Sequence, residues 1–551
     1  MNDFSVLIGG KAGEGLNKAG QILAHLMGRL GYRVYMYYDY PSLIRGGHNF
    51  SVIRGSEQKI AGHRAGMDIV LALNQDTVDF HRDKILPGGL LIYDAYYAKG
   101  EGMAIPLKQI IEQNKAPSIT ANSGIIGAFC KAVGIEWGIL EEVLHRDIPP
   151  KVLEINLAVA RGGFDAAQEH QKLHDLGRSA LPFITGNEAI GLGLIQGGLT
   201  TWVAYPMTPS SSLLHFLAEM SDKVGLKVIH PENEIAVMNM ALGFAAAGER
   251  VGVGTSGGGF CLMSEGLSLA GMSETPIVIM MGQRTGPSTG LPTYTGQTEY
   301  HFLRHAGQGE FSRFIVAPGD ANEAFYWSTV ALNLAWKFQI PAFILTDKTL
   351  SEGGYSFTID EIRKVPVEDS PRWDGTLPYR RYAFTESGVS PLTEYGREKA
   401  VVKVNGYYHD PRGITTEDPG IVAPMQEKLL RKLQGLDQEL VSYDTVNQSG
   451  SSGAVVALVC WGSNKGVCQE VAEHLGLRMV QPVVLWPFPV DSLRRALEGT
   501  SRVILVENNA TGQLAAMMRQ YGFAVHEQIH KYDGRPFTVE ELENRVKGVL
   551  P

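Results

Sequence analysis

Cysteine is scarce in this sequence, with 4 among 551 residues. The closest two, Cys460 and Cys468, are separated by seven residues, whereas paired ligands of zinc and iron–sulfur sites are usually separated by about two to four. The spacing argues against a metal centre built from this chain alone, and a disulfide framework is not expected in a long chain without a secretion signal. We therefore predict no metal ligands in this chain.

The sequence also lacks an excess of basic residues and a long apolar run. Lysine and arginine total 49 against 58 aspartate and glutamate residues, a formal net charge of −9, so no broad positive field is available for nucleic acid. No stretch reaches the roughly 18 consecutive apolar residues that a membrane-spanning helix needs, and the N-terminal MNDFSVLIGGKAGEG lacks the pattern of a signal peptide. We expect a cytoplasmic protein with no nucleic-acid or membrane partner.

Short apolar strands followed by helical patterns recur along the chain. Examples are FSVLIGG and DIVLALN near the start, TTWVAYPMT and TPIVIMMGQ in the middle, and AVVALVCWG and SRVILVENNA near the end. This alternation is typical of largely parallel sheets, so we predict an α/β protein of three α/β domains. The predicted domains are residues 1–177, 185–355 and 435–551, and the charged, Pro-containing stretch 356–434 is predicted to be a linker that wraps another surface.

Polar residues follow four consecutive elements of the middle domain. In an open parallel sheet, ligands bind beyond the carboxyl ends of the strands, so we expect these residues to lie along one edge. They offer hydroxyls, a carboxylate, flexible backbone and a guanidinium. They are Thr208 in AYPMTPSSS, Glu234 in PENE, Ser256, Gly257 and Gly258 in TSGGG, and Arg284 in GQRTGPSTG.

Each of these residues also has a structural alternative. A hydroxyl of AYPMTPSSS could cap the helix that starts in SSLLHFLAEM, and Glu232 and Glu234 could be favourable charges at a helix N-terminus. The glycine run could be a tight turn, and Arg284 an ordinary surface cation. The alternatives do not explain why all these residue types arrive together on four successive elements.

Four motifs occur in one order: YPMTPSS, HPENEIAVMNMALGFAAAG, TSGGGFCLMSEGLSLAGMSETPIVI and GQRTGPSTGLPT. Together they resemble the α subunit of the 2-oxoacid:ferredoxin oxidoreductases. GGKAGEGLNKAGQIL and YPSLIRGGHNF resemble the γ domain of that family, fused here at the N-terminus, and VENNATGQLA resembles its domain II. The resemblance implies a γ domain (catalytic-domain-III-like), then a pyrimidine-binding domain of a thiamine diphosphate enzyme, then a transketolase C-terminal-like domain.

The resemblance also implies the cofactor and the residues that bind it. The cofactor is thiamine diphosphate, and this chain would hold its pyrimidine end. Glu234 would be the carboxylate that hydrogen-bonds the aminopyrimidine and so promotes loss of the proton from the thiazolium ring. Ser256, Gly257 and Gly258 would contact the cofactor beside it.

The same resemblance assigns the substrate to two other residues. Thr208 and Arg284 would grip the carboxylate of a 2-oxoacid, through a hydroxyl donor and a planar bidentate donor. Thr208 is therefore expected to meet the substrate, while Ser210–Ser212 cap the next helix.

The sequence lacks the second half of such a site. It contains no Gly-Asp-Gly followed about 25–30 residues later by Asn, the arrangement that brings magnesium to the diphosphate in related enzymes, and GDANEA at 319–324 is predicted to start a helix instead. By resemblance, the magnesium site and a 4Fe–4S cluster belong to a separate β subunit. The implied assembly is a heterotetramer of two α and two β subunits that uses ferredoxin and coenzyme A.

The predicted reaction is the CoA-dependent oxidative decarboxylation of a 2-oxoacid with electrons passed to ferredoxin, in either direction. The fused γ domain favours 2-oxoglutarate, giving succinyl-CoA and carbon dioxide, a reaction that in reverse belongs to a reductive tricarboxylic acid cycle. Pyruvate or a branched-chain 2-oxoacid is the alternative substrate. Two other classes stay open: an NAD-dependent Rossmann-type dehydrogenase and a noncatalytic assembly subunit.

The glycine-rich GGKAGEG turn follows the first predicted strand. A turn of this kind can cradle a phosphate, but its spacing is not the G-x-G-x-x-G of dinucleotide sites. Nucleotide binding, a coenzyme A contact and a purely structural turn all stay open.

Overall fold

A computed structural model of the chain describes residues 3–43 and 46–550, and the chain divides into two compact units. The first unit comprises Met1–Thr185, Glu352–Thr358 and Phe537–Gly548. The second comprises Gly186–Ser351, Ile359–Pro536 and Val549–Pro551. Elements are numbered through the whole chain in sequence order.

The first unit contains one sheet and its covering helices. Its strands are β1 Asp3–Ala12, β2 Arg33–Asp39, β3 Gly46–Ser56, β4 Met67–Ala72, β5 Ile85–Asp94, β6 Met103–Ile105, β7 Phe183–Thr185 and β14 Gly354–Ser356. Its helices are α1 Leu16–Arg29, α2 Gln75–His81, α3 Leu107–Gln113, α4 Ala121–Ala132, α5 Trp137–Asp147, α6 Pro150–Ala166 and α18 Val539–Lys547. Ile44 and Arg45 of the YPSLIRGGHNF motif lie outside the described residues.

The sheet of the first unit is mixed rather than largely parallel. Its order is β6-β5-β4-β1-β3-β2-β14-β7. β1, β4, β5 and β6 run parallel, but β3, β2, β14 and β7 pair antiparallel. β2 ends at Asp39 and β3 begins at Gly46, a connection too short for the crossover of about a dozen residues that a parallel pair requires. The α/β class is confirmed, and the parallel prediction is wrong for this half of the sheet.

The second unit contains two sheets. Its strands are β8 Thr201–Ala204, β9 Lys227–Ile229, β10 Val251–Thr255, β11 Ile277–Gln283, β12 Phe314–Val316, β13 Pro341–Asp347, β15 Val446–Gly450, β16 Val456–Val459, β17 Arg478–Pro482, β18 Val484–Trp486, β19 Arg502–Glu507 and β20 Glu527–His530. Its helices are α7 Gly186–Gln196, α8 Ser211–Val224, α9 Glu234–Ala246, α10 Gly257–Met272, α11 Tyr300–His305, α12 Ala321–Phe338, α13 Lys348–Glu352, α14 Pro419–Leu440, α15 Lys465–Leu475, α16 Val490–Ala496 and α17 Gln513–Gln520, with the last residue of α13 in the first unit.

Within the described residues, the larger sheet of the second unit has the strand order β18-β12-β13-β11-β10-β8-β9. All its neighbours are parallel except β18, which pairs antiparallel with β12. The smaller sheet, β15-β17-β16-β19-β20, is parallel apart from β15. β18 comes from the last predicted domain, yet it forms the edge of the larger sheet by pairing with β12. The sequence did not indicate this pairing. α12 starts where the sequence predicts. The Asp320 carboxylate caps this helix by accepting the backbone N–H of Glu323 at 2.9 Å.

Gln297 joins the loop before α11 to the smaller sheet. Its amide is fully buried and donates to the Trp461 carbonyl at 2.8 Å, while its side-chain oxygen accepts the Asn508 amide at 2.9 Å. Its backbone N–H donates to the carbonyl of the same Asn508 at 2.8 Å.

In the described chain, no helix is both long and apolar enough to cross a lipid bilayer.

A buried ion cluster fixes α14 and the irregular segment before it. Glu274, just after α10, lies 2.5 Å from Lys428 Nζ and 2.6 Å from Lys432 Nζ, both on α14. Arg381 of the irregular segment donates to the Glu274 carbonyl at 2.7 Å. Burial alone would raise the pKa of Glu274, but the two ammonium groups and the guanidinium lower it to about 2. The carboxylate is therefore ionised and ties α14 to the end of α10, while the Glu274 carbonyl binds Arg381 of the irregular segment.

Replacing Glu274 with Gln should leave two buried ammonium groups without their counter-ion. We expect the free energy of unfolding to fall by about 3–5 kcal/mol, measured by urea unfolding of the purified chain. Glu265→Gln, at an exposed position of α10, is the matched control. It should change the free energy of unfolding by less than about 0.5 kcal/mol. A Glu274→Gln effect as small as the control's would show that the cluster does not fix the segment.

Candidate active site

The predicted site residues follow four neighbouring strands of the larger sheet. β11, β10, β8 and β9 lie side by side and run parallel, so the residues after them lie at one edge of the sheet. Thr208 lies in the turn after β8, and Glu234 begins the helix after β9. Ser256 follows β10 directly and Arg284 follows β11 directly. The topology therefore brings the four positions together.

Glu234 is held at the start of α9 by a neighbouring cap. Asn233 accepts the Ala236 amide at 2.9 Å and so fixes where the helix begins. Glu234 is then only 4% exposed, and its Oε1 has no hydrogen-bond partner in the described chain. Glu232, by contrast, is exposed. Of the two acids of PENE, the fold buries the one that the sequence selected for the cofactor.

The glycine run TSGGG lets backbone approach two carboxyl groups. Ser256 precedes α10, is fully buried, and its Oγ lacks a partner among the described residues. A Cβ placed on Gly259 would lie 2.7 Å from Glu234 Oε1, and one placed on Gly257 would lie 2.8 Å from Glu299 Oε1. At Gly258 a Cβ would meet open space. Gly257 and Gly259 therefore allow a close approach of the helix start to both carboxyl groups, on either side of Gly258.

Arg284 contacts Thr208 through backbone rather than through its hydroxyl. The Arg284 guanidinium donates from Nη1 to the Thr208 carbonyl at 3.1 Å. Its Nε is buried and finds no acceptor in the part of the chain that the structure describes. Burial lowers the pKa of Arg284, against the opposing field of Glu299. Arg284 is a partly desolvated cation with donor capacity to spare, and so it is not an ordinary surface cation.

Glu299 belongs to the same site, and the sequence analysis did not select it. It is 9% exposed; its Oε1 accepts the Thr298 hydroxyl at 2.8 Å, and its amide donates to Gln283 at 3.1 Å. Its Oε2 has no partner within the described residues. Burial raises the pKa of Glu299 to about 7, although Thr298 and Arg284 pull it down. An acid directly before a helix, as in PENE, is the signal that could have found it.

Four buried side-chain atoms at this edge thus have no partner in the described chain. Buried polar atoms are almost always paired in folded proteins, so a cluster of exceptions indicates a place for a polar ligand. Arg284 contacts the Thr208 carbonyl and lies in the field of Glu299, while the glycine run lies beside the carboxyl groups of Glu299 and Glu234. The atoms are Glu234 Oε1, Ser256 Oγ, Arg284 Nε and Glu299 Oε2.

Two family descriptions match this chain. "Pyruvate ferredoxin/flavodoxin oxidoreductase" matches residues 5–166, and "Pyruvate flavodoxin/ferredoxin oxidoreductase, thiamine diP-bdg" matches residues 192–427. The α subunit of 2-oxoacid:ferredoxin oxidoreductase 2 from Aeropyrum pernix is 31% identical, over 100% of this chain and 98% of that protein. This chain belongs to the 2-oxoacid:ferredoxin oxidoreductase α-subunit family. The predicted resemblance is confirmed.

Two further relatives bear on what such subunits do. The 2-oxoglutarate synthase subunit KorA of Methanocaldococcus jannaschii is 28% identical over 66% of this chain and 99% of that protein. The 2-oxoglutarate:ferredoxin oxidoreductase from Magnetococcus marinus, solved with 2-oxoglutarate, coenzyme A and succinyl-CoA bound, has a TM-score of 0.90 and 30% identity, covering 100% of this chain and 99% of that chain. The match places the whole α/β architecture of this chain in that family.

The serines after Thr208 do not cap α8 as predicted. Ser210 stands at the N-cap position of α8 but makes no side-chain cap bond. Its hydroxyl donates to the Met207 carbonyl at 2.7 Å instead, and Ser212 accepts the Asn187 side-chain amide at 2.7 Å. The cap prediction is wrong because the tight turn offers Ser210 a carbonyl three residues back.

The GGKAGEG turn lies in the first unit and is partly closed on itself. The Glu14 carboxylate accepts the Lys11 amide at 2.7 Å, which occupies a donor that a phosphate would otherwise use and adds a negative charge. Lys11, Gly13 and Glu14 also line a cavity of about 470 Å³ with Asn74 and Lys108, so a ligand contact and a structural turn both stay predictions. Among the described residues, no group of three or more histidine, cysteine, aspartate or glutamate side chains is arranged to hold a metal ion.

Gly259→Ala tests whether the glycine run positions Glu234. The new methyl group would displace the carboxylate, and we expect a loss of about 10- to 150-fold in thiamine diphosphate affinity of the assembled enzyme, the range for one lost charged hydrogen bond. Titration calorimetry measures the affinity. Gly243→Ala, at an exposed position of α9 where a Cβ meets no atom within 4 Å, should leave it unchanged. Equal affinities in the two variants would contradict the role of the close approach.

Proposed function

We propose that this chain is the α subunit, with a fused γ domain, of an enzyme that oxidatively decarboxylates 2-oxoglutarate to succinyl-CoA and carbon dioxide. Coenzyme A is the co-substrate and ferredoxin accepts the electrons. Two observations support 2-oxoglutarate over pyruvate or a branched-chain 2-oxoacid. The Magnetococcus marinus enzyme, which matches along the whole chain, was solved with that substrate and product, and KorA of Methanocaldococcus jannaschii is a 2-oxoglutarate synthase subunit.

The unpartnered Oε1 of buried Glu234 carries the proposal. This carboxylate lies at the start of a helix, is buried, and lacks one hydrogen-bond partner. It therefore fits a ligand with a ring nitrogen that can share a proton. At Gly258 an added Cβ would meet open space, which leaves room for a ring beside Glu234. Both features fit the aminopyrimidine of thiamine diphosphate. When bound, the cofactor supplies a carbon nucleophile that adds to the keto carbon and accepts the electron pair left by carbon dioxide.

The residues of this chain would divide the work between cofactor and substrate. Glu234 holds a proton at the aminopyrimidine, while Ser256 and the backbone of Gly257 and Gly258 line its pocket. Arg284 and Thr208 orient the carboxylate of the 2-oxoacid, which must be held until it leaves. The spare Nε of Arg284 provides one donor for that purpose.

The proposed enzyme also needs a β subunit. The relatives are named α subunits, and this sequence lacks the motif for magnesium and diphosphate. We therefore propose that the β subunit supplies the diphosphate site, magnesium and a 4Fe–4S cluster, in a heterotetramer of two α and two β subunits.

Glu234→Gln tests the cofactor assignment in the enzyme assembled with its β subunit. The amide keeps the size but cannot hold the proton, so kcat should fall by at least about 10²-fold, as for a positioned acid–base group. Glu232→Gln, two residues earlier and exposed, is the control and should keep wild-type turnover. Near-normal turnover in Glu234→Gln would favour the noncatalytic assembly role.

Arg284→Lys tests the substrate assignment. Lysine keeps the positive charge but loses the bidentate geometry, so kcat/KM for 2-oxoglutarate should fall by about 10- to 150-fold while thiamine diphosphate affinity changes little. Arg494→Lys, in an exposed ion pair with Asp491, is the control. Intact 2-oxoacid kinetics with weakened thiamine binding would move Arg284 to the cofactor site.

A further inference from the structure

Glu299 stands between the two halves of the candidate active site. Its carboxyl faces the first turn of α10, where Gly257 leaves room for it. Its backbone N–H is held by Gln283, the last residue of β11, and Gln283 is itself fixed through its side-chain amide to the Thr346 carbonyl at 3.2 Å. Arg284 follows Gln283 directly. The carboxyl and the guanidinium are therefore positioned by the same strand end.

The surroundings of the Glu299 carboxyl contain few charges. β11 contributes Gln283 and Arg284, α10 contributes backbone at Gly257, and the preceding residue contributes the Thr298 hydroxyl. Arg284 is the charged side chain that acts on Glu299 among the described residues. Even so, in the described chain the guanidinium donates to the Thr208 carbonyl, and neither its Nε nor Glu299 Oε2 has a hydrogen-bond partner. The two groups interact at a distance, through a buried region where charges are weakly screened.

The charge on Glu299 decides how much of the Arg284 charge an incoming anion meets. With Glu299 neutral, a 2-oxoacid carboxylate approaches an uncompensated buried cation. With Glu299 ionised, the same carboxylate approaches a site that already holds a negative charge, and its binding weakens. Because burial raises the pKa of Glu299 to about 7, both states are populated near neutral pH.

We propose that Glu299 is a positioning residue that controls, through its protonation, whether the Arg284 guanidinium is available to the 2-oxoacid carboxylate. The inference rests on the proposed function and deepens it, because it assigns a proton-linked step to substrate binding at the same site. Substrate binding at alkaline pH then takes up one proton at Glu299. Below neutral pH, the carboxyl is already protonated and binding takes up none.

Glu299→Gln in the assembled enzyme tests this role, since the amide keeps the size and stays neutral. In the wild type, kcat/KM for 2-oxoglutarate should fall about tenfold per pH unit above about pH 7, the behaviour of a single group that must be protonated. In Glu299→Gln this alkaline fall should disappear. Glu265→Gln, exposed on α10, should keep the wild-type profile. A Glu299→Gln variant that retains the alkaline fall overturns the proposal.

A second measurement does not depend on turnover. Calorimetric titration of the assembled enzyme with N-oxalylglycine, an unreactive analogue with both carboxylates of 2-oxoglutarate, in buffers of different ionisation enthalpy counts the protons bound. Uptake should rise from near zero at about pH 6 towards one at about pH 8 in the wild type, and should stay near zero in Glu299→Gln. If that variant fails to assemble, the wild-type titration decides, and uptake that does not change with pH overturns the proposal. A wild-type enzyme that turns over no 2-oxoacid contradicts the proposed function itself, whereas normal turnover with an unchanged pH profile contradicts only the role of Glu299.

Discussion

This site depends on one physical constraint, which is that buried polar atoms need hydrogen-bond partners. Folding places the carboxylate of Glu234 out of water, yet leaves one of its oxygens unpaired in the described chain. An unmet hydrogen bond of this kind costs about 1–3 kcal/mol, which the fold must offset elsewhere. A ligand that restores the bond recovers that free energy, so the same feature that weakens the empty chain favours binding.

The larger sheet and the glycine run make this arrangement feasible. Parallel strands bring the ends of β8, β9, β10 and β11 to one edge, which a mixed sheet would not do. The first turn of α10 then separates two carboxyl groups: Gly259 faces Glu234, and Gly257 faces Glu299. The Glu274 cluster at the other end of α10 fixes that helix in place.

The sequence predicted the α/β class and placed Thr208, Glu234, Ser256 and Arg284 after successive strands of one sheet, because hydrophobic alternation and polar residues after strands are local signals. It did not predict the antiparallel strands of the first unit, which depend on a short connection between β2 and β3. Nor did it predict the pairing of β18 with β12, which depends on tertiary contacts. Ser210 was assigned to a cap because position alone does not reveal a competing carbonyl, here that of Met207.

Glu299 shows most clearly what local sequence reasoning misses. In PTYTGQTE it is one polar residue among several. Its neighbours Gln297 and Gln283 bind partners far away in the sequence, the carbonyls of Trp461 and Thr346. Charges on α14 could not be assigned to Glu274 either, since Lys428 lies 154 positions further along the chain. Such contacts follow from packing, which periodicity does not encode.

A structure of the chain assembled with the proposed β subunit and thiamine diphosphate tests the role of Glu234 most directly. The distance to determine is that from Glu234 Oε1 to the aminopyrimidine ring nitrogen. The account predicts a hydrogen bond of about 2.6–3.0 Å, with the ring in the opening at Gly258. A cofactor bound elsewhere, with Glu234 Oε1 paired to a protein group of the β subunit, would contradict it.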